Sequence, residues 1–296
     1  MATNYDNGIS VFGLPVLPGG VPATSGSVFF VDSVTGSNGN SGKDSRHPFA
    51  TIVKALTACT AAKGDTIICM PGHAEAVTAA GTITVSKSGV RIVGLGTGRQ
   101  RPVITHTTAV GASVDVTAAN VLIQNVVFKV GFDAITAMIN VSAADVTLRG
   151  CEIEHADASY QAVLPILTTA AADRFWVDQC HIHGSADAGT VAGMRIVGGD
   201  SIKITDNVIM GSYTTTLGGV DNPTTAMTLG LIKGNHIVNK TASASVAITL
   251  KSDSVALVAD NRLVVLTGTA PIVAAAGYVS HNYYAAAAGV TASALI

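Results

Sequence analysis

Glutamate is scarce in this chain. Its 296 residues hold only Glu75, Glu152 and Glu154, and two of these stand where their spacing could do chemistry. Glu152-Ile-Glu154-His155 and His181-Ile-His183 both alternate a polar residue with an apolar one. In a β-strand, residues i and i+2 share a face, so each segment presents paired polar groups. On neighbouring strands, Glu152 would stand against His181 and Glu154 against His183, with Asp178, His155 and Asp157 close in sequence. A carboxylate–imidazole group can do general acid–base work or hold a metal ion. It can equally be an outward polar ladder in which Glu and His pair across strands. The ladder is the preferred reading, so no catalytic residue, metal or cofactor is assigned. Glu152, Glu154, Asp178, His181 and His183 are the residues that would act if the chain were an enzyme.

These segments overlap or adjoin a phrase that occurs seven times. It runs inward apolar, polar, turn-forming, stacking, any residue, inward apolar. The copies are Ile123–Phe128, Leu148–Ile153, Val177–Ile182, Ile204–Ile209, Ile232–Ile237, Val258–Leu263 and Val279–Tyr284. The stacking positions are Val126, Cys151, Cys180, Asn207, Asn235, Asn261 and Asn282. They recur every 21 to 29 residues or so, a period that marks a solenoid. The alternation within each phrase is strand periodicity, and no long helical pattern lies between copies. A single parallel β-helix follows, with successive coils paired edge to edge at about 4.8 Å. In such a stack, Asn207, Asn235, Asn261 and Asn282 form an interior ladder in which each amide bonds the next and escapes the cost of unpaired burial. Cys151 and Cys180 precede the ladder as interior residues. They are read as free thiols, with a bridge between coils as the alternative.

Only 12% of residues are charged while 48% are hydrophobic, against about a quarter charged in an ordinary soluble domain. No apolar run is long enough to span a membrane. Much lateral surface is therefore expected to be buried against other copies or partners. A net charge of −2 gives no reason to expect nucleic acid or an anionic membrane as partner. Cys59, Cys69, Cys151 and Cys180 lack metal-type spacing. No basic region followed by an apolar core opens the chain, so assembly in a cytoplasm is expected.

Residues 1–26 form a separate zone. Three prolines and four glycines between positions 8 and 22 forbid a regular helix, yet Val11, Phe12, Leu14, Val16 and Leu17 are too apolar for a solvated linker. An extended arm lying in another molecule's groove satisfies both facts; a tail folded on its own body is the alternative. The β-helix proper is placed at 27–296. Gly36–Asp44 reads as a turn-rich loop. Residues 48–58 read as a helix with Phe49, Ile52, Ala55 and Leu56 on one face, placed to cap the open first coil.

The order Val-Phe-Phe-Val-Asp (28–32), Gly-Ser-Asn-Gly-Asn (36–40), His-Pro-Phe-Ala-Thr-Ile-Val-Lys-Ala-Leu (47–56), Gly-Asp-Thr-Ile-Ile-Cys-Met-Pro-Gly (64–72) and Gly-Val-Arg-Ile-Val-Gly (89–94) resembles the opening of pectate-lyase-like right-handed β-helix proteins, especially those of tailed bacteriophages. The resemblance extends over about 27–284 as architecture. It implies an all-β, right-handed parallel β-helix and leaves activity open, because that superfamily includes lyases, hydrolases, tailspikes and non-catalytic capsid decoration proteins. His183-Gly184 and Arg195-Ile196 are fragments of polygalacturonase-like motifs, but the paired aspartates are missing. The calcium-binding acids and catalytic arginine of pectate lyases cannot be assembled, and aromatics are only 5% of the chain.

Just before each phrase, the outward position reads Leu122, Thr147, Trp176, Lys203, Leu231, Leu257 and Tyr278. Five are large and apolar or aromatic, forming a stripe suited to side-by-side packing of rods. Leu122, Trp176, Leu231, Leu257 and Tyr278 are thus the expected oligomer interface. With the phage resemblance, the expectation is a homotrimeric capsid decoration or cement protein on the virion surface, its arm binding the major capsid protein of a phage shell. A tailspike-like protein that binds or degrades host polysaccharide is the rival.

Overall fold

The computed structural model describes residues 25–155, 159–184, 189–213, 217–242, 246–266, 271–273 and 278–286, with the backbone alone of 9–11, 14–16, 294–295 and, within these ranges, of 155 and 286. The chain forms a parallel β-helix with three long sheets. The first stacks Val28–Val31, Thr66–Cys69, Arg91–Gly94, Val121–Gln124, Val146–Arg149, Trp176–Asp178, Lys203–Thr205, Gly230–Lys233, Ala256–Ala259 and Tyr278–Ser280. The second runs from Ala74–Val77 through Val103–His106, Val127–Val130, Glu152–His155, His181–His183, Val208–Gly211, His236–Asn239 and Arg262–Val265 to Tyr283–Ala286. The third starts at Ile83–Val85, passes Ile135–Val141 and Ala162–Thr168, and ends at Ile272–Val273. Each repeated phrase straddles the corner between the first and second sheets. Its first inward residue faces the core from one sheet and its last from the other, as Leu148, at 1% exposure, and Ile153, at 2%, do.

The corner explains the third position of the phrase. Asn125, Gly150, Gln179, Asp206, Gly234, Asp260 and His281 all have φ between 53° and 71°. One left-handed residue turns the chain from sheet to sheet, and Gly, Asn, Asp and His enter that region at least strain. Backbone bonding continues across the turn, as from Gly150 N to Asp178 O at 2.9 Å and from Asp206 N to Lys233 O at 3.0 Å. A second left-handed column, which the sequence reading missed, precedes strands of the first sheet at Gly64, Gly89, Asn120, Asp145, Arg174, Ser201 and Leu229. Its residue types are too mixed to form a visible pattern.

The residue after the corner carries the interior ladder. Asn207, Asn235, Asn261 and Asn282 are buried. The Nδ2 of each of the first three donates to the Oδ1 of the next, at 2.9, 2.9 and 2.8 Å in turn. The other Nδ2 hydrogen of each goes to a carbonyl one coil back, that of Val177, Ile204, Ile232 and Val258 respectively. Each next Oδ1 also accepts a backbone N–H, from Asn207, Asn235 and Asn261 at 3.0 Å each. Cys180 and Cys151 occupy the same slot with thiols, which approach the equivalent carbonyls of Leu148 and Ile123 at 3.5 Å. All four cysteines are free and buried. The neighbouring Cys151 thiol and burial together push the Cys180 thiol well above its ordinary pKa, which keeps it unreactive.

The N-terminal end is closed by α1, Ile52–Ala58, which packs on Val28–Val31, Thr66–Cys69 and Ile83–Val85. The helix is shorter than the 48–58 expected. Phe49 pairs as an isolated bridge with Val31, and Thr51 is the N-cap, its side chain accepting the Lys54 N–H at 3.1 Å. Glu75 accepts the Ile52 N–H at 2.7 Å, so the edge of the second sheet also anchors the cap. At the other end, Ala294–Leu295 pairs antiparallel with Tyr283–Tyr284 and ends the parallel stack. In the arm, Ile9–Val11 pairs antiparallel with Leu14–Val16. Phe12, Leu17 and the side chains of Val11, Leu14 and Val16 lie outside the described residues.

Asn261→Ala removes the acceptor used by two Asn235 donors and the donors used by Ile232 O and Asn282 Oδ1. At roughly 1–3 kcal/mol for each buried group left unmade, a loss of at least about 3 kcal/mol is expected from urea unfolding. A loss below about 1 kcal/mol would contradict the ladder's role. His106 is buried, with Nε2 donating to Met138 O at 3.1 Å, and burial pushes its imidazole down to about 4. The unfolded histidine titrates near 6.5. As pH falls from about 6.5 to about 4, the unfolded chain gains a proton that the folded chain refuses, so stability should drop by roughly 3 kcal/mol. His106→Gln should flatten that part of the profile in denaturation at pH 7 and 4.5; an unchanged slope would contradict it.

Candidate functional site

The second sheet gathers the polar group anticipated from the sequence. Glu152 pairs in register with His181, and Ile153 with Ile182. His181 and His183 project from the same face of one strand, their rings 5.1 Å apart and nearly perpendicular. His183 Nε2 lies 3.5 Å from Glu152 Oε1. One ligand atom from each of Glu152, His181 and His183 falls within 4.8 Å of the others. His181 is exposed, and Glu152 and His183 are half-buried.

The structure redistributes the other members. Glu154 meets Lys129 Nζ at 3.5 Å, its register partner on the neighbouring strand. Asp178 does not join the group. It lies before the left-handed corner at Gln179, on the first sheet, where Arg149 Nε meets one carboxylate oxygen at 3.0 Å and Thr205 Oγ1 donates to the other at 2.8 Å. His155 has only its backbone described, and Asp157 lies outside the described residues.

Sequence reasoning missed Arg101. Between Arg91–Gly94 and Val103–His106, the one-residue corner is replaced by a longer loop carrying a 3₁₀ turn at Gly98–Gln100. Arg101, at its end, reaches along the stack to Glu152 Oε2 at 2.8 Å and Gly150 O at 2.7 Å. The signal was the missing phrase at 94–102, but an absent motif does not say where a long side chain will reach. The same loop, with Gln124, Arg149 and Gly150, bounds a groove of about 530 Å³.

Outside the first sheet, the anticipated stripe is one in-register column: Leu122, Thr147, Trp176, Lys203, Leu231, Leu257 and Tyr278. Leu122, Trp176 and Leu231 are half-buried, whereas Leu257 is 41% and Tyr278 76% exposed. The cations of Arg149 and Lys203 lie over the Trp176 ring at 4.6 and 5.7 Å, and the indole N–H donates to Thr205 at 2.7 Å. Trp176 is thereby held within its own sheet's side chains. Leu229 and Val255, just before the strands that carry Leu231 and Leu257, are 70% and 43% exposed. Leu229 was invisible in the sequence because it occupies a left-handed position, with φ 50°, where an apolar residue is unexpected.

Among the described residues, no helix is long and apolar enough to cross a membrane. No protein-family model and no curated protein matches the sequence. Among solved structures, the fold is similar to a rhamnogalacturonan lyase, with TM-score 0.48 and 14% identity over 87% of each chain. It is also similar to a pectate lyase, with TM-score 0.46 and 12% identity over 90% of this chain and 78% of the other. A third is the ORF18 protein of Geobacillus virus E2, with TM-score 0.37 and 12% identity over 79% of this chain and 57% of the other. At these identities the likeness is one of fold, the parallel β-helix.

Proposed function

We propose that the chain is a non-enzymatic structural protein of a bacteriophage particle, a homotrimer that decorates the capsid and stabilises the shell of major capsid protein. The observation that carries this reading is the column of Leu231, Leu257 and Tyr278, aligned by strand register along one side of the rod, with Leu229 and Val255 exposed just before the strands of the first two. An exposed row of this kind is what lateral association buries. The low charge content supports it, as does the ion pairing of Glu152 with Arg101 and of Glu154 with Lys129. The phage-like opening segments support the virion setting, and the apolar residues of 8–17 support a shell-binding arm.

The Glu152–His181–His183 group favours one second reading, a tailspike-like protein acting on host polysaccharide. Copy number separates the two. In purified particles, decoration requires a molar amount comparable to the major shell protein, and a chain lacking residues 1–26 should still trimerise but fail to join particles. A ratio of a few per cent, or binding retained without the arm, would overturn the decoration reading.

In sedimentation equilibrium, the 29.8 kDa chain should run at three times its mass. The double variant Leu231→Lys, Leu257→Lys should run as a monomer with unchanged circular dichroism. An unaltered trimer in that variant would remove the first sheet from the interface.

A further inference from the structure

We infer that Glu152, His181 and His183 form a surface site for a borderline divalent transition metal, of which Zn²⁺ is the representative. The inference stands apart from the assembly reading and needs no partner chain.

Three features of the geometry carry it. Strand alternation places two imidazoles two residues apart on one face, and exact pairing sets a carboxylate opposite the first of them on the next strand. This yields three donors from one side of a rigid sheet, leaving the solvent side for water or another ligand, the arrangement of an open zinc site. The 3.5 Å between His183 Nε2 and Glu152 Oε1 is close to the ligand–ligand edge of about 3.3 Å that a tetrahedron with bonds of about 2.0 Å requires. A ligand atom of His181 lies within 4.8 Å of both other donors.

The surroundings fit the same reading. Arg101 holds Glu152 Oε2 at 2.8 Å and spends its other amino group on Gly150 O. It therefore orients the carboxylate and leaves Oε1 turned to the imidazoles, the role of an outer partner in metal sites. The strand on the other side presents Val208 and Met210 opposite His181 and His183, so it adds no hard oxygen donor. Two nitrogens and one carboxylate suit zinc and its neighbours and are a poor set for Ca²⁺ or Mg²⁺, which take mostly oxygen.

The test is metal binding by the full chain, without any activity readout. After dialysis against Zn²⁺, elemental analysis should find one zinc per chain, and calorimetry should show saturable binding not displaced by excess Ca²⁺ or Mg²⁺. His181→Ala and His183→Ala should each weaken binding by about 100-fold or more, and Glu152→Gln by about 10-fold, with far-ultraviolet circular dichroism unchanged because all three side chains lie outside the core. Loss of a single zinc in both histidine variants supports the site. Absence of stoichiometric zinc, or zinc retained in the His181→Ala, His183→Ala double variant, overturns it.

Discussion

The rest of the molecule hangs on one corner. A parallel β-helix must turn its chain between sheets many times, and each turn threatens to bury backbone groups with nothing to bond. Here the solution is a single left-handed residue followed by an inward side chain that replaces the missing partners. The asparagine amide has two donors and one oxygen with two acceptor positions, and the ladder uses all of them. One Nδ2 hydrogen reaches the coil behind and the other the amide ahead, while Oδ1 receives a backbone N–H and a side-chain N–H from the preceding coil. Because the bonds are complete within the core, deep burial of a polar row stabilises a single register instead of penalising the fold. A slip of one residue would place the amide outside and an unpaired group inside.

The fold was therefore more legible than the site. The left-handed corners demand Gly, Asn, Asp or similar residues, and the ladder demands Asn, so both leave recurrent letters in the sequence. The third sheet leaves far fewer. Its strands vary from Met194–Arg195 to Ile135–Val141, and the left-handed column that follows them mixes Gly, Asn, Asp, Arg, Ser and Leu. Cys151 and Cys180 show that the slot tolerates a thiol where it faces the same carbonyls. Past Val126, toward the helix-capped end, apolar packing takes over and the polar ladder is absent.

The polar group on the second sheet was only half legible for a related reason. Register fixed that Glu152 stands between Val127 on one side and His181 on the other. It did not fix which charges each carboxylate would choose. Glu154 turned back to Lys129, and Glu152 was taken by Arg101 from an inserted loop. Asp178, close in sequence to both histidines, lies across the corner and serves the Arg149–Trp176–Thr205 set instead. Proximity along the chain misleads wherever a corner intervenes, whereas proximity across coils is enforced by hydrogen bonds.

The outer surface follows from the same geometry. A stack that places equivalent residues above one another converts any bias at one strand position into a continuous stripe. On the first sheet the bias is apolar toward the C-terminal coils, where Leu231, Leu257 and Tyr278 succeed one another. On the second sheet it is polar at the middle coils, where Lys129, Glu152, Glu154, His181 and His183 meet. A monomeric rod gains nothing from the first stripe, since its core is already closed by the inward residues and its first coil is capped by α1. Burying that stripe against another rod would stabilise an assembly at about 25 cal/mol for each Å² removed from water. The polar coils place their charges on a different face, so an interface along the first sheet need not desolvate them.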